Sequence, residues 1–288
     1  MRTFAAIVLF GLVAVACGEL HHYITYKSFD EAFLECGQYY EVKDCELKQY
    51  VAESYPNKPE VRRLVRCALL NLNSWNDDTG VVKHQVTNFF KPSQSDDCYL
   101  NRTLVCLNSV RERCAPKDVN TAAYESFVCY YRNYGNLVSE EQFLRHDALE
   151  HTQVLDTVSG FLELSQETLV EFCKGNILKN DKFPAVLYQS SVRYGFYNVT
   201  GNGVQLERLY NQYGNPQLLA PETHQCVDKV AHEYCSADDV TIMYQTHVQC
   251  LDSLVPTVKL LQEFAKTQVY DPSVCDCTSP QVQVYNVL

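Results

Sequence analysis

Apolar residues recur at helical spacing along most of this 288-residue chain. Ser28 stands before Ala32, Phe33 and Cys36, so the serine caps a first helix that carries a cysteine two turns on. Pro59 opens a second helix with Val61, Leu64, Val65, Ala68, Leu69 and Leu72 on one face. The cluster Asn76-Asp77-Asp78-Thr79-Gly80 ends it. The pattern next predicts a short amphipathic helix over 81–90, broken by Lys91-Pro92, and two more over 97–114 and 118–133. Tyr134-Gly135-Asn136 closes this set. A charged, proline-free amphipathic stretch over 139–164 predicts a helical connector, and helices over 165–178, 184–195, 203–213, 221–235, 237–251 and 255–267 follow. Alternation with a period of two is scarce, so strands should be few. The tail from Asp271 is irregular.

The second half repeats the first. Cys106, Cys114, Asp118-Val119 and Cys129 recur as Cys226, Cys235, Asp239-Val240 and Cys250, the last two cysteines fifteen positions apart in both copies. Ser28 and Cys36 are echoed by Ser165 and Cys173. The copies lie about 120 to 137 residues apart, a spacing that suits whole domains rather than solenoid units. The expected architecture is all-α, a tandem pair of small disulfide-braced domains of five to six helices each. Residues 1–18 form a signal peptide, 19–136 the first domain, 137–164 the connector, and 165–288 the second domain with its cysteine-bearing tail.

The signal reading rests on Met1-Arg2, the apolar run from Phe4 to Ala16, and Cys17-Gly18. That run is far shorter than the ~20 residues a membrane-spanning helix needs, and no other stretch comes near it. A secreted protein without membrane insertion is expected. Loss of Arg2 with the leader would move the net charge from −11 to about −12, which disfavours nucleic acid and anionic membranes as partners. Asn101 and Asn198 head glycosylation sequons.

Fourteen cysteines in an exported chain point to disulfides rather than to catalysis or metal. The candidates are Cys36, Cys45, Cys67, Cys98, Cys106, Cys114 and Cys129, then Cys173, Cys226, Cys235, Cys250, Cys275 and Cys277. Without Cys17 the count is odd, leaving a free thiol or an inter-chain link. Residues eight apart on one straight helix lie ~12 Å apart, too far for Cys98 to join Cys106 or Cys106 to join Cys114. A spacing of fifteen across a helix end favours Cys114–Cys129 and Cys235–Cys250, with Cys106–Cys129 and Cys226–Cys250 as competitors. Cys36–Cys67 would pin the first helix to the one opened by Pro59.

Three stretches then carry a resemblance. They are Ser28-Phe-Asp-Glu-Ala-Phe-Leu-Glu-Cys36, Arg62-Arg63-Leu64-Val65-Arg66-Cys67 with Trp75-Asn76-Asp77-Asp78-Thr79-Gly80, and Asn120-x₈-Cys129. With them the chain resembles the insect odorant-binding family, in the atypical two-domain form of mosquitoes. Family members carry six cysteines. Cys36, Cys67, Cys114 and Cys129 match the first, third, fourth and sixth, while the second and fifth would fall on Arg63 and Asn120. Those two are bonded to each other in the family, so one bridge is lost as a unit. In the second domain Cys173, Cys235 and Cys250 match the first, fourth and sixth, and Thr241 sits at the fifth. Cys173 there has Cys226, Cys275 or Cys277 as partner, or none.

No His-Glu-x-x-His, Gly-x-Ser-x-Gly or phosphate-cradling glycine loop occurs, so neither an enzyme nor a cofactor is expected. His146 and His151 do not share a helical face and read as solvated connector residues, not a metal pair. His224, His232 and His247 read as surface or cap histidines, with titration in mild acid as the alternative. Twenty tyrosines and thirteen phenylalanines suit an apolar cavity with polar tips. Trp75, Phe89, Phe90, Tyr124, Phe127 and Tyr131 are the pocket candidates. The resemblance implies a carrier of small hydrophobic ligands of odorant or pheromone type, with receptor and self-association left open. The rival is an eggshell or matrix component linked through Tyr or Cys, and behind it a scavenger of small bioactive amines or lipids.

Overall fold

Ser28 begins the first helix through a reciprocal cap: its hydroxyl accepts from the Glu31 amide at 3.2 Å, and the Glu31 carboxylate accepts from the Ser28 amide at 2.8 Å. A computed structural model describes residues 24–275 apart from 115, 116 and 202. The signal segment, Cys17 and Cys277 lie outside the described residues. The first six helices are α1 (Phe29–Tyr39), α2 (Asp44–Ala52), α3 (Pro59–Asn71), α4 (Lys83–Val86), α5 (Tyr99–Arg113) and α6 (Val119–Asn133). Seven follow: α7 (Ala148–Phe161), α8 (Gln166–Cys173), α9 (Phe183–Tyr194), α10 (Leu206–Tyr213), α11 (Pro221–Glu233), α12 (Asp239–Thr246) and α13 (Thr257–Gln268). Strands among the described residues are four antiparallel pairs of two-residue segments.

The tandem, all-α reading holds. In each half a proline-opened helix (α3, α9) leads into a tight hairpin, Trp75-Asn76 against Gly80-Val81 and Tyr197-Asn198 against Gly203-Val204. Gly80 and Gly203 close these turns at φ of 83° and 66°, a region that side chains disfavour. The first hairpin absorbs Val81, which is why the helix expected over 81–90 shrinks to α4 and a 3₁₀ turn at Thr87–Phe89. Helix α2 had no strong apolar stripe to announce it; only Leu47 and Tyr50 are buried. Part of the connector is extended rather than helical, because Gln142-Phe143 pairs with Tyr26-Lys27. Its helix starts only at Ala148, capped by Asp147.

Two cores result. One holds Phe29, Phe33, Tyr55, Leu64, Phe89, Phe127 and Leu144; the other holds Phe143, Val154, Phe172, Phe183, Phe196, Leu251 and Phe264. Four disulfides brace them: Cys36–Cys67, Cys106–Cys129, Cys173–Cys275 and Cys226–Cys250, with Cα separations of 5.9, 5.6, 5.2 and 5.9 Å. The favoured pairings Cys114–Cys129 and Cys235–Cys250 are therefore corrected in favour of their competitors. Helices α5 and α6 pack against each other, and Cys106 and Cys129 sit roughly two to three turns back from the connection on each side. Cys114 lies past the end of α5 on extended backbone and falls out of that register. Cys45, Cys98, Cys114 and Cys235 remain free thiols.

Candidate functional site

The largest concavity described is a groove of about 290 Å³ in the first half, between the Trp75–Val81 hairpin, α5 and α6. Helix α5 supplies Leu104, Leu107 and Val110, and α6 supplies Val119 and Ala122. Leu104, Leu107 and Val110 recur at three-residue spacing, which puts them on one face of α5. The Cys106–Cys129 bridge and the α5–α6 packing hold that wall in place.

The hairpin wall is set by a small polar network. Trp75 Nε1 donates to Asp77 Oδ1 at 2.8 Å, and Arg66 Nε donates to the same oxygen at 2.9 Å. A second Arg66 nitrogen pairs with Asp77 Oδ2. The Arg66 guanidinium holds the Asp77 carboxyl below its usual range. Asn76 Oδ1 accepts from the Asp78 and Thr79 amides at 2.9 Å each, which fixes the turn. The indole plane thus lies as a rigid wall with its one donor already engaged.

Polar groups line the rest. Lys83 and Arg111 are exposed, Asn108 and Ser126 add neutral polar atoms, and Cys114 contributes a thiol. Burial pushes the Cys114 thiol pKa up, so it stays protonated and unreactive at neutral pH. The site offers an apolar floor, a mixed rim and no constellation of nucleophile and base.

Of the six sequence candidates, Trp75 lines this groove. Phe90, Tyr124, Phe127 and Tyr131 join a solid aromatic core instead. Phe127 stacks on Phe29 at 4.7 Å and on Tyr131 at 5.6 Å, and meets Tyr55 edge-on at 5.2 Å. Phe90 packs on Tyr130 at 5.7 Å, and Phe89 is 1% exposed. Reasoning from sequence passed over Leu104, Leu107, Val110 and Ala122. Their signal was the apolar stripe on the helix already marked by Cys106.

The histidines differ from expectation as well. His146 is 4% exposed and His151 is partly covered, their rings 5.9 Å apart. Gln212 binds both: its amide accepts from the His146 backbone N–H at 2.7 Å, donates to the His146 carbonyl at 2.9 Å, and lies 2.9 Å from His151 Nε2. Burial holds both rings below the usual histidine pKa, His151 at about 4. His146 precedes α7, so the helical-face rule never governed the pair. His247 is 1% exposed, while His224 and His232 are exposed. Asn101 is exposed on α5, and Asn198 uses its side-chain oxygen to accept from the Thr200 amide at 2.9 Å. Among the described residues no cluster could hold a metal ion, and no helix is long and apolar enough to cross a membrane.

Residues 24–133 match the model of the PBP/GOBP family. The chain is 27% identical over 168 residues to General odorant-binding protein 69 of Anopheles gambiae, covering 55% of this chain and 72% of that protein. Among solved structures, the crystal structure of the Anopheles gambiae odorant-binding protein 22a is 24% identical, over 36% of this chain and 96% of that one, with a TM-score of 0.29.

Proposed function

Because the chain belongs to the insect odorant-binding family, we propose that it is a secreted, non-catalytic carrier of a small apolar ligand, seated in the groove between the Trp75 hairpin, α5 and α6. The observation that carries this reading is the wall itself: Trp75, Leu104, Leu107, Val110 and Ala122 line about 290 Å³ of space. A volume near the lower end of ligand pockets suits a compact molecule, with the apolar wall supplying affinity and the rim orienting a polar end. On this reading residues 19–136 form the ligand-carrying domain and 165–288 its partner. The carboxylate nearest the groove, Asp77, is already paired with Arg66, which speaks against an amine scavenger.

The test uses the single tryptophan. An apolar fluorescent probe such as N-phenyl-1-naphthylamine is titrated while Trp75 emission is followed. Saturable binding, displaced by a non-fluorescent competitor and lost in Ala122→Trp, supports the carrier. Saturable binding that Ala122→Trp leaves intact places the ligand elsewhere, and no saturable binding removes the carrier reading.

One observation favours a second reading. Cys45, Cys98 and Cys235 are exposed free thiols, a set suited to inter-chain links in a matrix. Disulfide-linked multimers of the native protein on a non-reducing gel, absent from a Cys45→Ser/Cys98→Ser/Cys235→Ser variant, would support it; a purely monomeric band would count against it.

A further inference from the structure

The second half encloses a separate cavity of about 30 Å³ among α7, α9, α10, α12 and α13. Leu187, Phe196, Leu209 and Leu251 give it apolar walls, and Ser190, Ser191 and His247 bring polar atoms to it. Thr257 and Leu260, both partly exposed, mark the side nearest solvent.

His247 is the anomaly. Its side chain is 1% exposed, yet neither ring nitrogen has a hydrogen-bond partner in the protein. The nearest carboxylate oxygen, Asp252 Oδ1, is 3.5 Å from Nε2, on a side chain 45% exposed. An orphaned buried polar group costs about 1–3 kcal/mol, and natural folds rarely keep one without a reason. The ring also opens a π-helical turn, His247–Leu251, where the regular helix α12 gives way. Such turns are uncommon and concentrate where a side chain must be re-aimed for function. Burial keeps the imidazole below its usual pKa, hence neutral, with one donor and one acceptor to offer.

We propose that this cavity is a second ligand site, independent of the groove in the first half, which takes a compact hydroxyl-bearing molecule of the small-alcohol or phenol class with His247 as its hydrogen-bond partner. A neutral imidazole gives a hydroxyl both halves of its hydrogen bonding and gives a carboxylate no charge to meet. The void admits little more than two water-sized groups, which excludes long-chain ligands. Met243, unbranched and soft, forms the yielding part of the wall.

The test titrates phenol, with benzene as the isostere lacking the hydroxyl, into the full chain carrying Ala122→Trp. Plugging the groove makes failure of this site distinct from failure of the carrier reading. Binding is read from the ring-carbon NMR signal of His247, identified by its loss in His247→Phe. Phenol should move that signal saturably, and benzene should bind at least ten-fold more weakly. Met243→Ala, which enlarges the void without touching the anchor, should tighten phenol binding several-fold and keeps the test intact if His247→Phe fails to fold. A His247 signal unmoved by millimolar phenol in both backgrounds, or benzene binding as well as phenol, overturns the proposal.

Discussion

Phe143 and Leu144 are neighbours in the chain and belong to different cores. The backbone is extended there, so successive side chains point to opposite sides. Phe143 packs edge-on against Tyr26 and Phe196 at 6.2 and 6.3 Å, whereas Leu144 is buried among the residues of the first half. The same segment is tied on both flanks: the Leu144 amide donates to the Thr25 carbonyl at 2.9 Å, Gln85 Nε2 to the Phe143 carbonyl at 3.1 Å, and Asn73 Nδ2 to the Arg145 carbonyl at 2.9 Å.

A shared strand of this kind couples the halves. Trp75 fluorescence reports the first half and far-ultraviolet circular dichroism reports both, and in urea the two should give one coincident midpoint. Leu144→Ala should lower that common midpoint through a loss of about 2–4 kcal/mol. Two separated transitions would show that the halves fold alone.

Disulfide register gives a sharp contrast. Removing Cys106–Cys129 by a double serine replacement should cost about 2–4 kcal/mol, while Cys114→Ser should stay within about 0.5 kcal/mol as a surface-side change. Peptide mapping under non-reducing conditions should recover Cys106 joined to Cys129 and Cys226 joined to Cys250. Peptides linking Cys114 to Cys129 would refute the register.

Acid should weaken the fold through the buried histidines. Burial depresses the pKa of His146, His151 and His247 below 6.5, with His151 at about 4. Between those values the unfolded chain binds protons that the folded chain refuses, so stability is full above pH 6.5 and falls as pH drops toward 4. One pKa unit is worth about 1.4 kcal/mol, so His151 alone should remove roughly 2 kcal/mol by pH 5. The urea midpoint should therefore fall between pH 7 and 5, and His151→Gln should flatten the fall. Carboxylates held low by partners, such as Asp77 beside Arg66, add their loss only at more acid pH.

The Tyr124 hydroxyl donates to the Tyr55 carbonyl at 2.7 Å, closing the aromatic core of the first half. Tyr55 is held at a φ of 57°, which a bulky residue adopts only under tertiary constraint. Tyr124→Phe strands a buried acceptor and should cost about 1–3 kcal/mol, read as a shift in thermal midpoint. A neutral result would mean that packing alone sets the Tyr55 turn.

Sequence periodicity reached the helices whose faces are buried against one neighbour. Ser28 capping α1 and Pro59 opening α3 are local physics, and both were readable as such. What it missed depended on partners distant in sequence. Val81 went to a hairpin because Trp75 pairs with it, and Phe143 went to a strand because Tyr26 does. Phe127 and Leu107 are both apolar positions on helices, and spacing does not say that one meets other rings while the other borders open space. The cysteine pairing failed for a related reason: a fifteen-residue gap gives a distance along the chain, whereas the bond depends on height across two packed helices.

The rings of Phe29, Tyr55, Phe127 and Tyr131 fill the centre of the first half with the protein's own carbon. A hollow carrier must brace itself against collapse when it travels empty; this one has nothing to collapse. Its shape is therefore indifferent to whether cargo is aboard, and picking up or losing a molecule demands no rebuilding of the interior.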